Sequence, residues 1–352
     1  MRAQALLVKG KRWVQRRLQV VKTRARRNWA RNPPQVGGGS RNLHVFLHIP
    51  KTAGTYFNSI MAENVPGAFH EHVEAFLHDD TRLSEVCRSE GDVWLSGHVE
   101  NPRFHNRLSE VCSHSKIAWY TLLRHPLHQF VSQISWQVQI CLRPPRFLWG
   151  HPAHDIEIIL SVLFADLANE GDLDRIMQQR PRYLDNNQSL VLGITSTDVL
   201  GSVDALNHAS REAHAKLLAL ADFAVERDAL QLISRCLHRP VESLSRTREN
   251  RNQSRCPFPE EVVRSESFIR RVVRINALDF VLYMNALQLS KDRSLPALTW
   301  HSVDELLAQA TALCHSHPYR SEFDGSLQQR AREVMIAGAK RACAVMVSQA
   351  GD

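Results

Sequence analysis

The chain has 352 residues, 43% hydrophobic and 23% charged, with seven cysteines and a formal net charge of +8. It is long enough to bury a sizeable core, and its composition excludes a disordered, collagenous or disulfide-dense chain. The charge is local. Residues 1–41 hold twelve Lys or Arg and no Asp or Glu, so removing those twelve from the net +8 leaves −4 and no general case for nucleic-acid binding.

In the basic tail, residues 1–32, Leu7, Val14, Leu18 and Val21 fall at spacings of seven, four and three, which is one helical face surrounded by Arg and Lys. Such a helix would lie on an anionic membrane surface, with Trp13 and Trp29 at the interface; the plainer alternative is a solvated basic extension. PPQVGGGSRN, residues 33–42, reads as a linker. No apolar run approaches the roughly 18 residues of a membrane span, and the start lacks the apolar core of a secretory signal. The cysteines are odd in number and widely spaced, without a CxxC pair, as expected of reduced thiols in a cytosol. The expected location is cytoplasmic, with the tail as the element that would hold the protein at the inner face of the membrane.

LHVFLHI, residues 43–49, reads as a strand, and Phe57, Ile60 and Met61 then recur at helical spacing. DVWLSGH (92–98) reads as a second strand after a helix around 81–90, and KIAWYTLL (116–123) as a third after a helix around Arg107 to Cys112. Pro126 occupies the tolerated first position of the next helix, expected to run to about Val138. The second half reads as mostly helical, with one strand at DFAVE, 222–226. Alternating strands and helices predict an α/β fold: a P-loop-like three-layer arrangement with a central parallel sheet flanked by helices and a helical C-terminal part. The expected division is a main domain over 43–290 and a helical extension over 291–352.

Ligands of such sheets bind beyond the carboxyl ends of the strands, where Lys51, His98 and Arg124 fall. The first of these ends, HIPKTAGT, would set Lys51, Thr52, Ala53, Gly54 and Thr55 at a helix N-terminus, whose free N–H groups and dipole favour an anion. Small Ala53 and Gly54 would let the anion approach the backbone, and Thr52 and Thr55 would add hydroxyl donors. The Gly-Lys-Ser/Thr order of a Walker loop is missing. His70 and His72, alternating in FHEHVEAF, suggest either a metal, for which no third ligand is evident, or acceptor contact. Arg143 and Arg146 lie in a loop-like insertion where they would meet an anionic acceptor or simply solvent.

HIPKTAGT resembles the 5′-phosphosulfate loop of sulfotransferases that use 3′-phosphoadenosine 5′-phosphosulfate (PAPS), in particular the carbohydrate branch that includes heparan sulfate 2-O-sulfotransferase. LSGHVE (95–100), LLRHPLHQFVSQ (122–133), ADFAVERDALQLI (221–233), NRNQS (250–254) and INALDFVLYMNAL (275–287) are similar to later segments of that family, in the same order. The resemblance spans about residues 43–288. It implies that residues 51–55 hold the 5′-phosphosulfate, that Arg124 and Ser132 hold the 3′-phosphate with Asn252 and Ser254 as further cofactor contacts, and that His98 is the base. It also implies in-line sulfuryl transfer to a hydroxyl of a glycan or glycolipid, without a metal, with Lys51 stabilising charge on the leaving oxygen. The missing membrane anchor contrasts with the Golgi-resident animal members and fits a bacterial enzyme. Two departures stand out. Tyr56 replaces a small hydroxyl residue, and His125 stands where the family has the Asp of Arg-Asp-Pro, removing a carboxylate that would cap the helix or orient the arginine. The competing classes are a P-loop-type nucleotide phosphotransferase (a kinase) and a non-catalytic relative that binds a nucleotide or glycan.

Overall fold

The computed structural model describes residues 42–350 apart from 76–78, 88–90, 99–100, 112–115, 144–147, 149–152, 179–183, 197, 245–254, 318 and 320–322. The basic tail, most of the linker, Arg146, Asn252 and Ser254 lie outside the described residues.

Five strands, β1 (Asn42–Leu47), β2 (Ala68–Glu71), β3 (Val93–Gly97), β4 (Lys116–Leu123) and β5 (Asp222–Val225), form one sheet in the order β2-β3-β1-β4-β5. Every pairing is parallel. The first half also holds α1 (Gly54–Asn64), α2 (Asp80–Cys87), α3 (Asn101–Val111), α4 (Pro126–Ile140), α5 (Ala153–Phe164), α6 (Glu170–Gln178) and α7 (Asn187–Val191). Then follow α8 (Val203–Ala219), α9 (Ala229–Leu237), α10 (Glu260–Arg264), α11 (Glu266–Ile275), α12 (Ala277–Leu289), α13 (Val303–Ser316) and α14 (Leu327–Ala350). This is the α/β fold expected from the alternation of strands and helices.

Side-chain alternation assigns the layers. Leu43, Val45 and Leu47 of β1 pack with α2, α3, α8 and α12 through Leu83, Phe104, Leu206 and Val281. Phe46 points the other way, onto Phe57, Ile60 and Met61 of α1 and Leu232 and Ile233 of α9. A sheet covered on both faces accounts for strands that are nearly apolar throughout. A third cluster joins α4, α5, α6 and α11 to α13 and α14 through Phe130, Val162, Ile176, Phe268, Ala310 and Leu327. One core therefore runs across residue 290, the expected domain boundary.

Sequence reasoning missed β2. Its four residues, AFHE, follow Gly67 and form the sheet edge, too short for an alternating pattern to emerge. Among the described residues no helix is long and apolar enough to cross a membrane.

Candidate functional site

From β1 the chain connects towards β2, whereas from β4 it proceeds to β5 on the opposite side. The crevice past the carboxyl ends of β1 and β4 is thus the switch point at which open α/β sheets bind ligands. Hydrogen bonds converge on it. Thr121 Oγ1 donates to the Leu47 carbonyl at 3.0 Å and joins β4 to β1, while Gln129 Nε2 of α4 donates to the Pro50 carbonyl at 3.3 Å. Ser96 Oγ donates to Asn58 Oδ1 at 2.7 Å, a buried bond from β3 to α1.

The loop from His48 to Ala53 carries two left-handed residues, Lys51 at φ 65° and Ala53 at φ 67°. Side chains other than glycine seldom adopt this region, and such conformations concentrate at functional sites. Ala53 is the N-cap of α1 and offers no side-chain oxygen, so among the described residues no side-chain cap closes the first turn, which is the arrangement an anion would complete. Thr55 is exposed in that turn. Thr52 corrects an expectation: it is fully buried, and its hydroxyl donates to the Ile49 carbonyl at 2.9 Å, so it shapes the turn and its proton is already used.

Gly54 likewise has a reason that the sequence did not reveal. A Cβ there would lie 1.8 Å from Cδ2 of His48, whose imidazole is buried across the start of α1. The glycine thus makes room for a ring rather than for a ligand alone. Gly54→Ala should cost about 1–3 kcal/mol of stability in denaturant unfolding, the usual penalty for overpacking. Unchanged stability would show that the His48 ring has somewhere else to go.

His98 follows β3, and its ring lies 4.1 Å from that of His48, centroid to centroid. Its Nδ1 is 2.6 Å from the His48 carbonyl. A carbonyl only accepts, so Nδ1 carries the proton, and in the neutral ring Nε2 keeps its lone pair. Although His98 is exposed as a residue, the protein packed around its ring lowers its pKa below the ordinary histidine value; the Glu74 charge and the bond to His48 oppose this, and His72 adds to it. His98 is thus neutral at physiological pH, with a proton-accepting nitrogen. His48 is pushed much further down, by burial first and then by His98, His72 and Lys51, and it serves as a neutral support.

Arg124, after β4, donates from Nη1 to the Lys51 carbonyl at 2.9 Å, which directly joins two of the three expected strand ends. Its backbone is clamped by Gln188: the Arg124 N–H donates to Gln188 Oε1, and Gln188 Nε2 donates back to the Arg124 carbonyl, both at 2.8 Å. Gln188 is held in turn by Asp279 of α12, whose carboxylate accepts the N–H groups of Gln188 and Ser189 at 3.1 and 2.8 Å. The carboxylate that His125 fails to supply comes from just past β5: Glu226 Oε2 lies 2.6 Å from Arg124 Nε. The His125 ring is instead buried beside Phe280, Tyr283 and His128. Tyr56 packs on the α1–α9 cluster.

Positive charge gathers here, offset in part by Glu226. The Lys51 pKa is lowered to about 8, by burial first and then by Arg124 and Arg143. Arg143 is exposed just past α4, and its charge acts on Lys51. Clustered cations beside an uncapped helix start suit a multiply charged anion such as a phosphosulfate, so these residues fit the cofactor that the sequence resemblance implies. Ser132 is 5% exposed within α4, and no described hydrogen bond links it to Arg124.

β2 ends at Glu71 and His72 turns into the left-handed region at φ 57°, so the alternation expected to align His70 with His72 stops between them. The His72 ring bonds Glu74 at 3.0 Å. Among the described residues no group of three His, Cys, Asp or Glu is disposed to hold a metal. A separate cleft lined by Arg255, Phe323, Asp324 and Arg330 takes none of the candidate residues, and Asp324 pairs with both of its arginines.

Sequence reasoning gave no role to Glu74, Gln188, Glu226 and Asp279. Glu74, Glu226 and Asp279 lay in stretches that stood out for other reasons, FHEHVEAF, DFAVE and INALDFVLYMNAL, whereas Gln188 lay in none. Compared with the models of known protein families and with curated proteins, the chain finds no match in either.

Proposed function

We propose that the chain is a PAPS-dependent sulfotransferase acting on a hydroxyl of a glycan or glycolipid. The observation that supports this reading most is the convergence of strand ends: Arg124, just past β4, bonded to the Lys51 carbonyl, beside His98 bonded to the His48 carbonyl of the same loop. The amides at the start of α1 and the Lys51 ammonium would hold the 5′-phosphosulfate, and Arg124 the 3′-phosphate. When bound, PAPS supplies an activated sulfuryl group with a phosphate as leaving group. His98 Nε2 takes the proton of the acceptor hydroxyl, a weak nucleophile at neutral pH. Lys51 opposes the negative charge that develops on the side of the leaving phosphate, in surroundings where partial burial strengthens the interaction. The basic tail would hold the enzyme at an anionic membrane surface, near a glycolipid acceptor.

The strand order and the anion loop would also serve a nucleotide phosphotransferase. Transfer of label from 35S-PAPS across a panel of glycans and glycolipids tests the reading. Labelled product lost in Lys51→Ala supports it; no transfer to any acceptor, with γ-phosphate transfer from ATP instead, would overturn it.

A further inference from the structure

We propose that Glu74 is the positioning residue for His98, fixing the backbone at the end of β3 so that the imidazole faces the crevice with Nε2 free. The inference rests on the reading of His98 as proton acceptor. Glu74 Oε2 accepts the backbone N–H of His98 at 3.0 Å. That amide lies just past β3 and would otherwise have no ladder partner. The other oxygen, Oε1, binds Nδ1 of His72 at 3.0 Å, so both arms of the carboxylate are tied. Together with the bond from His98 Nδ1 to the His48 carbonyl, the histidine is held at backbone and ring by two different segments.

Gly97 provides an independent sign that this contact shapes the local chain. A Cβ on Gly97 would meet Glu74 Oε2 at 2.4 Å, Val73 Cγ2 at 2.6 Å and Val73 N at 3.0 Å. The short 3₁₀ turn Val73–Ala75 therefore rests directly on the Gly97 backbone, anchored by the fully buried Val73. The glycine of the Gly-His pair is required because a glutamate turn sits on top of it. The left-handed His72 is the backbone reversal that brings the turn there, in a conformation that persists only where its surroundings enforce it.

Electrostatics follows the geometry. Burial alone would raise the Glu74 pKa, but the bond from His72, a bond to its own amide and the nearby His98 and His72 together lower it, so the group is ionised. Its charge opposes the effect of burial on His98. Among the described residues, the other titratable groups that act on this pair of rings are His72, just before the turn, and Lys51 on the loop after β1 beside His48. With a donor on each oxygen, Glu74 acts through His98 and not on the acceptor.

The test is a histidine NMR titration of the full chain, wild type against Glu74→Gln, with the His98 resonance identified by its loss in His98→Gln. Loss of the Glu74 charge should lower the His98 titration midpoint and move the acid limb of the pH–rate profile to lower pH. Turnover should fall by about ten- to a hundredfold, the scale of a misplaced group, with adenosine 3′,5′-bisphosphate affinity retained. Gly97→Ala, which displaces the carboxylate without removing it, should also lower turnover. If Glu74→Gln loses the dispersed spectrum of a folded chain, Glu74→Asp is titrated instead; it keeps the charge on a shorter arm and should place the His98 midpoint between that of wild type and that of the uncharged state. An unmoved His98 midpoint overturns the inference, as does a turnover loss in Glu74→Gln that exceeds that of His98→Ala, which would give Glu74 a role of its own in the reaction. A wild type inactive with PAPS would instead count against the sulfotransferase reading and leave the NMR comparison to judge Glu74.

Discussion

Replacing His98 with alanine is expected to lower turnover by about 10² to 10⁴-fold, the usual contribution of a positioned base, while adenosine 3′,5′-bisphosphate binds as in the wild type. The expectation follows from the tautomer. The His48 carbonyl fixes the proton on Nδ1, which leaves Nε2 as the accepting atom. The lowered pKa of His98, caused mainly by burial, keeps the ring neutral. No described contact places the His98 side chain against Lys51 or Arg124, so its removal leaves the cations in place. His98→Gln should behave like His98→Ala, because an amide keeps a donor but provides no basic nitrogen. Steady-state kinetics paired with calorimetry checks this. Near-normal turnover would remove His98 as the base, and a parallel loss of affinity would recast it as part of the binding loop.

The second large effect is on pH dependence through Lys51. The ammonium form is the one that holds an anion, and in the ligand-free chain its pKa is lowered to about 8. Affinity for adenosine 3′,5′-bisphosphate, and with it kcat/KM, should therefore decline as pH rises through about 8. On the acid side kcat/KM should fall once His98 is protonated, which happens below its ordinary range. Lys51→Ala should reduce kcat by at least about 10² to 10³-fold, the scale of a lost transition-state donor. Lys51→Arg should abolish the alkaline limb, since a guanidinium does not deprotonate there. The same shift affects stability. A lysine whose folded pKa lies below its unfolded value binds its proton more weakly in the folded chain, so stability rises between about pH 8 and 10.5. The cost of the charged form at neutral pH is at most about 3 kcal/mol, less for whatever solvent screens. Lys51→Met should then melt at a higher temperature than the wild type while being inactive, a trade expected where function is built at the expense of stability. Titration calorimetry from pH 6 to 10 and thermal melts read the two effects separately. Affinity that stays flat through pH 8, or a Lys51→Met chain that melts lower, would contradict them.

What was legible in the sequence is what local pattern encodes. The central strands are continuous apolar runs bounded by Pro or Gly, so β1, β3 and β4 stood out, and with them Lys51, His98 and Arg124 at their ends. Hidden were the residues that hold those three in place. Glu74 meets His98 from 24 positions away and Gln188 meets Arg124 from 64, separations at which no spacing rule applies. Thr52 shows the converse error. A hydroxyl in a polar loop looked like a ligand donor, but the left-handed residues on either side turn it inward onto Ile49. Gly54 was noticed as a small residue and Gly97 only as part of LSGHVE, yet what each makes room for, His48 and Glu74, depends on tertiary packing. The absence at position 125 of the carboxylate found in the resembled family looked like a gap in the arginine network, and the fold supplies one from Glu226, just past β5.

The central claim is that these strand ends form a single site for a nucleotide with both a 3′-phosphate and a 5′-phosphosulfate. Calorimetric titration of adenosine 3′,5′-bisphosphate, 5′-AMP and ATP into wild type and Arg124→Ala tests it most directly. The prediction is that wild type binds the bisphosphate about 10- to 100-fold more tightly than 5′-AMP, the worth of a hydrogen-bonded charge contact. It should prefer the bisphosphate to ATP, and Arg124→Ala should erase the preference over 5′-AMP. Equal affinity for the bisphosphate and 5′-AMP in the wild type, or tighter binding of ATP, would contradict it.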